Sequence, residues 1–162
     1  MKPLDGIRVL DLTRFLAGPY CTMELGDFGA DVVKVEPLDG DHSRSQSLRA
    51  DLVGNSYFFA AANRNKRSIT LDVRKDTGKE IVRALAGRAD ILVENFRPGV
   101  MERLGLAYET LRQTNPRLIY CSITGFGTTG PVATQTLAAP DGLLIAHKPQ
   151  CGPFSMRRGR GV

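Results

Sequence analysis

Two kinds of apolar pattern alternate along the chain. Short, nearly unbroken apolar runs at Ile7 to Leu12, Asp31 to Glu36, Ser68 to Val73, Ile91 to Glu94 and Leu118 to Ile123 read as buried strands. Between them, apolar residues recur at helical spacing. Tyr20 to Phe28 reads as a helix, with Pro19 in its first turn, where a missing N–H costs nothing, and Gly26 and Gly29 at its end. Thr77 to Ala86 places Ile81, Val82 and Leu85 on one face. Shorter helices are predicted over Ser56 to Asn63, from Pro98-Gly99 through Leu104, and over Tyr108 to Gln113. Residues 38–55 are polar and read as a long loop. Strands alternating with helices imply a parallel sheet, so the predicted fold class is open α/β.

From Gly125 the pattern changes. G-F-G-T-T-G-P is a glycine-rich loop, and beyond Pro131 the periodicity is lost apart from the apolar run Leu143 to Ala146. The chain therefore divides into residues 1–131, the α/β part, and residues 132–162, an irregular C-terminal tail expected to be poorly ordered.

Composition narrows the class. The 162 residues are 42% hydrophobic and 24% charged, enough to bury one core. No apolar run approaches the roughly 18 residues of a membrane span, so no membrane partner is expected. The net charge of +5 is concentrated at the end, where Lys148, Arg157, Arg158 and Arg160 follow Asp141 with no further acid. A like-charged end reads as solvated chain, and no nucleic-acid partner is expected.

The three cysteines, Cys21, Cys121 and Cys151, form no C-x-x-C pair, which fits a reducing compartment and a cytoplasmic location. Cys21 and Cys121 have apolar neighbours and read as small core residues. With His42 and His147 the only histidines, no metal site is expected. The N-terminus shows neither an apolar secretory core nor an Arg/Ser-rich transit pattern.

Ligands of open α/β sheets bind outside the carboxyl ends of the strands. Four such segments carry suitable residues: Thr13 to Pro19, Glu36 to Asp41, Leu71 to Arg74, and Asn95 to Gly99 with Arg103 one turn on. Arg64, Lys66, Arg67, Arg74, Arg97 and Arg103 are candidate phosphate contacts, against the simpler reading of solvated surface charge. Phe96 is a candidate for stacking on a base. A dinucleotide site fails on spacing, because Gly18, Gly26 and Gly29 do not make G-x-G-x-x-G, although Glu36 ends its strand as a ribose-binding acid would.

These segments resemble family III coenzyme A transferases, the group named for carnitine and bile-acid CoA transferases. The resemblance rests on P-L-D-G-I-R-V-L-D-L-T-R-F-L-A-G-P at 3–19 and L-G-D-F-G-A-D-V-V-K-V-E-P at 25–37. It continues through N-R-N-K-R-S-I-T-L-D at 63–72, V-E-N-F-R-P-G at 93–99 and N-P-R-L-I-Y-C-S-I-T-G-F-G-T-T-G-P at 115–131. It implies a Rossmann-like sheet, incomplete relative to the family, and a homodimer of interlocked subunits. It also implies coenzyme A as the bound molecule, with acyl-CoA and carboxylic acids as substrates. By similarity Ala17 lines the nucleotide site, Leu71, Asp72, Val73 and Arg74 wall the adenine and ribose, and Asn95, Phe96 and Arg103 hold the adenine and phosphates.

The same resemblance implies transfer of CoA through an aspartyl acyl-anhydride and then a thioester. No catalytic residue is assigned in this chain. Leu137-Ala138-Ala139 stand where the family carries Gly-Tyr-Asp or Gly-His-Asp, so the base of the related acyl-CoA racemases is missing. The nucleophilic aspartate is expected past residue 162, and Asp141, in Pro-Asp-Gly, reads as a turn. Leu16 and Pro37 replace a Gln and an Arg of some members. The expectation is a chain shortened before its nucleophile, which binds CoA without turning it over.

Overall fold

The structure is a computed structural model that describes residues 1–45 and 56–127, Pro131, and the backbone of Ser155–Arg157. Six strands, five helices and one 3-10 turn follow in the order β1 (Arg8–Asp11), α1 (Ala17–Asp27), β2 (Asp31–Glu36), the turn His42–Arg44, α2 (Tyr57–Asn63), β3 (Lys66–Thr70), α3 (Asp76–Ala86), β4 (Ile91–Glu94), α4 (Val100–Leu104), α5 (Tyr108–Thr114), β5 (Ile119–Ser122) and β6 (Ser155–Arg157).

The sheet order is β3-β2-β1-β4-β5-β6. The first five strands are parallel, and β6 lies antiparallel to β5. The fold is thus α/β with an open, Rossmann-like parallel sheet and flanking helices, as the alternating pattern predicts. The chain builds outward from β1 to β3 and then returns to place β4 beside β1. That reversal opens a crevice between the carboxyl ends of β1 and β4.

Each face of the sheet has its own core. Leu10, Leu12, Val35 and Leu92 meet Val82 and Ala86 of α3, Met101 of α4 and Leu111 of α5. Val9, Val32, Val93 and Cys121 face the other way, with Leu25 of α1 packed on them. Strand alternation produces this division, since residues in parallel register such as Val9↔Val32 and Leu10↔Leu92 share a face.

Three differences from the sequence pattern have physical causes. β3 runs over Lys66–Thr70, earlier than the predicted Ser68 to Val73, because its ladder pairs Val32 with Lys66 and Glu36 with Thr70. It is an edge strand whose last four residues are exposed, so apolar content says little about its bounds. α1 begins at Ala17, with Pro19 inside its first turn. β6 is a strand that the apolar pattern did not assign; residues 132–154 and 158–162 of the predicted tail lie outside the described residues.

Candidate functional site

The crevice between β1 and β4 is closed by one side chain. The Asn95 carboxamide accepts a hydrogen bond from the Arg14 N–H at 2.8 Å and donates one to the Arg14 carbonyl, also at 2.8 Å. This ties the loop after β1 to the loop after β4. The Arg14 guanidinium then lies 5.0 Å from the centroid of the Phe96 ring. Phe15, next in sequence, is held at φ +66°, a left-handed conformation that costs a side-chain-bearing residue energy and needs its surroundings to hold it.

Beside this junction lies a cleft of about 1000 Å³ at the carboxyl ends of β1, β2 and β3. Arg14 and Phe15 line it from the first loop, Pro37 to Asp41 with His42, Arg44 and Ser45 from the second, and Leu71 to Arg74 from the third. The third wall depends on a close approach. A Cβ on Gly78 of α3 would stand 2.1 Å from the Asp72 carbonyl oxygen, so only glycine lets the helix pack against that loop.

Buried charges tie the loops after β1 and β2 together, with Asp41 alone of them lining the cleft. Asp11, the last residue of β1, is the register neighbour of Lys34 inside β2. The Lys34 ammonium donates to the Thr13 carbonyl at 2.7 Å and pairs with Asp41 Oδ2 at 3.0 Å, with both side chains 1% exposed. Asp11 accepts from the Thr13 N–H at 2.8 Å, from the Thr22 hydroxyl at 2.6 Å and from the Lys66 ammonium at 3.0 Å. Burial pushes the Lys66 ammonium below its ordinary pKa, opposed by the Asp11 carboxylate. Burial works against the Asp41 charge, but Lys34 and the two Ser43 hydrogen bonds outweigh it and hold that carboxyl low.

Glu36 is clamped. Its Oε2 accepts from Arg44 Nε at 2.7 Å and from the Asp41 N–H at 2.9 Å, and its Oε1 from Arg44 Nη2 at 2.7 Å. The Ser68 hydroxyl donates as well. Burial opposes the charge, yet these donors bring its pKa down to about 2. The Arg44 guanidinium also lies 3.7 Å from the centre of the Phe59 ring, so the turn after β2 is fastened to α2.

A second cleft, of about 520 Å³, lies beyond Phe96 at the ends of β4 and β5, between Arg97 to Gly99 and Tyr108 to Thr110. At its base Glu94, 4% exposed, accepts from the Phe96 N–H at 2.8 Å. Burial raises the Glu94 pKa, partly offset by the Ser122 hydroxyl and that N–H. Burial likewise raises Tyr120 and pushes the Cys121 thiol up to about 12.

Comparison with known proteins decides the family. The sequence model of CoA-transferase family III matches residues 4–158. The chain belongs to this family. It is 45% identical to the succinyl-CoA:glutarate CoA-transferase of Mus musculus over 158 residues, 94% of this chain and 36% of that protein. It is 50% identical to the succinyl-CoA:mesaconate CoA-transferase of Haloarcula hispanica over 150 residues, 91% of this chain and 38% of that one. The crystal structure of a CAIB/BAIF family protein from Brucella suis superimposes with a TM-score of 0.78 at 48% identity, covering 83% of this chain and 36% of the other. The chain thus spans little more than a third of these relatives.

Within this family III CoA-transferase chain, the residues singled out by sequence separate. Leu71, Asp72, Val73 and Arg74 share the large cleft with Arg14. Phe96 stands at the junction and lines the second cleft. Ala17 and Arg103 are exposed and line neither cleft. Asn95 spends its amide on the Arg14 backbone.

Of the candidate phosphate contacts, four are engaged: Arg64 with Asp27, Lys66 with Asp11, Arg67 with Asp31 and Arg74 with Asp72. Arg14, Arg97 and Arg103 have no ion pair among the described residues. Glu36 is occupied by Arg44 and Ser68, so it is not a free ribose acceptor. Cys121 is buried and Cys21 half-buried, while Cys151 and Asp141 lie outside the described residues. The described residues hold no cluster of three metal-ligating side chains, and no helix among them is long and apolar enough to cross a membrane.

Sequence reasoning placed Thr13 and Arg14 in a ligand-facing segment without giving either a role, and passed over Lys34 and Arg44. A lysine inside the strand D-V-V-K-V-E was the available signal, since a charge within a buried strand needs a partner.

Proposed function

We propose that the cleft at the ends of β1, β2 and β3 grips the nucleotide end of coenzyme A, in the service of CoA transfer between carboxylic acids. Leu71 and Val73 offer an apolar wall for the adenine. Arg14, which lines the cleft, and Arg97 and Arg103, which follow β4 outside its lining, offer guanidinium groups for the phosphates, with Asp72 and Arg74 in the cleft wall and Ala17, Asn95 and Phe96 on the flanking loops. One observation carries the reading. Next to a strand-end cleft large enough for a nucleotide, the loop Asn95–Gly99 and its flanks present arginines without carboxylate partners, and anionic phosphates are what such groups hold. Membership of CoA-transferase family III supports the choice of CoA over other nucleotides.

The buried acids at the strand ends are occupied, which supports a gripping role over a reacting one. Asp11, Glu36, Asp41 and Glu94 are buried and hydrogen-bonded, and Asp72 is paired with Arg74. Acyl transfer through a carboxylate needs an acid beside the thioester and donors for the oxyanion. The described residues supply a distant handle, whose binding energy serves the reacting end.

Calorimetric titration of the purified chain tests this. CoA is expected to bind, dephospho-CoA to bind at least severalfold more weakly, and NAD not at all. No acyl exchange between a CoA thioester and a free acid is expected. Equal binding of NAD, or no binding of CoA, overturns the site; exchange by the purified chain overturns the division between grip and chemistry. The homodimer implied by the resemblance is checked by sedimentation.

A further inference from the structure

We propose that Asn95 acts on the protein and not on the ligand: it is a positioning residue whose carboxamide clasps both backbone groups of Arg14 and so sets the Arg14 guanidinium over Phe96. The inference rests on the CoA reading above, and it changes the part that Asn95 plays in it.

The geometry leaves one orientation of the amide. The Arg14 N–H requires an oxygen and the Arg14 carbonyl requires a donor, so Oδ1 faces the first and Nδ2 the second, each at 2.8 Å. Each polar atom of Asn95 then makes one bond to the protein, and the pair fixes the plane and orientation of the amide. The residue spans 81 positions of sequence and joins the two loops that flank the reversal in strand order. The loop it holds needs holding, because Phe15 follows at φ +66°.

Gly18 shows how tightly the junction is packed. A Cβ there would stand 2.4 Å from Thr13 Cβ and 3.1 Å from Asn95 Cγ, so glycine leaves room for the clasp. The charged groups flanking position 95 are Arg14 across the junction and Glu94 and Arg97 on its own side. None of them donates to or accepts from the carboxamide, whose bonds go to the Arg14 backbone.

Two measurements on the full chain test the clasp. The first needs no ligand: hydrogen exchange at the Arg14 amide, followed by NMR, is expected to quicken at least tenfold in Asn95→Ala while the amides of β1 keep their protection. Unchanged exchange at Arg14 overturns the proposal. The second is a double-mutant cycle in CoA affinity. Asn95→Ala and Arg14→Ala are each expected to weaken binding about tenfold, from the loss of one or two hydrogen bonds or of a phosphate contact. The double variant is expected to lose about tenfold as well, because Asn95 acts through Arg14. A loss near a hundredfold means an independent ligand contact by Asn95 and overturns the proposal.

If Asn95→Ala does not fold, Asn95→Asp takes its place in the cycle. It has the same size and keeps an acceptor for the Arg14 N–H, but sets an oxygen against the Arg14 carbonyl. If the wild-type chain binds no CoA, the site reading fails, and the Arg14 exchange measurement still decides the clasp.

Discussion

Glu36 and Glu94 end β2 and β4, the strands on either side of β1, and are almost equally buried, at 1% and 4% exposure, yet their pKa values shift in opposite directions. Glu36, on the β1–β2–β3 side, is brought down to about 2 by Arg44, Ser68 and the Asp41 N–H. Glu94, on the β4–β5 side, is raised by burial, with one hydroxyl and one N–H against it and the like charge of Glu102 adding to it. The two sides of the sheet follow these residues. One side stores ionised pairs beneath its cleft, Lys34 with Asp41 and Lys66 with Asp11. The other stores acids held toward their neutral forms, Glu94, Tyr120 and Cys121. Burial by itself does not decide charge; a cation within hydrogen-bonding distance does.

The largest break in this contrast is Lys34→Met. It leaves Asp41 and the Thr13 carbonyl buried without their ammonium, and loss of one member of a buried pair is expected to cost about 3–5 kcal/mol by chemical denaturation. A loss under about 1 kcal/mol would show that water replaces the lysine.

Next comes Glu36→Gln, expected to cost about 2 kcal/mol at neutral pH through lost charge-assisted hydrogen bonds. Its pH dependence carries a sign. The folded pKa lies below the ordinary 4.5, so the contribution of Glu36 is full above 4.5 and is lost as pH falls toward about 2. The Gln variant is expected to lose that slope.

Glu94→Gln works the other way and more weakly. The folded pKa is raised, so wild-type stability declines as pH rises above the ordinary 4.5 through the folded value. Glutamine keeps an acceptor for the Phe96 N–H and removes the decline. A variant with a steeper fall at high pH would mean that the Glu94 charge is stabilising. Smallest of all is Arg67→Ala: its pair with Asp31 is exposed on the edge strand, and the melting temperature is expected to stay within error.

Much of the architecture was legible in the sequence because it depends on local period. The runs R-V-L-D, D-V-V-K-V-E, I-L-V-E and I-Y-C-S became strands close to where alternation and apolar content put them. The strand-end loops followed from that order, and with them the place of the site. The partners of charged residues were not legible. Lys66 looked like a phosphate contact and is instead the buried partner of Asp11, 55 positions away. Glu36 looked like a ribose acceptor and is clamped by Arg44.

Linear order and hydrophobic period are properties of neighbouring residues, so the chain alone determined its alternating elements, its parallel sheet and the loops that gather at one end. Which carboxylate stays charged, which arginine is free to meet an anion, and which asparagine is spent on the backbone depend on groups brought within 3 Å of each other from distant positions. Those meetings are made by strand order and register, and only the folded sheet supplies them.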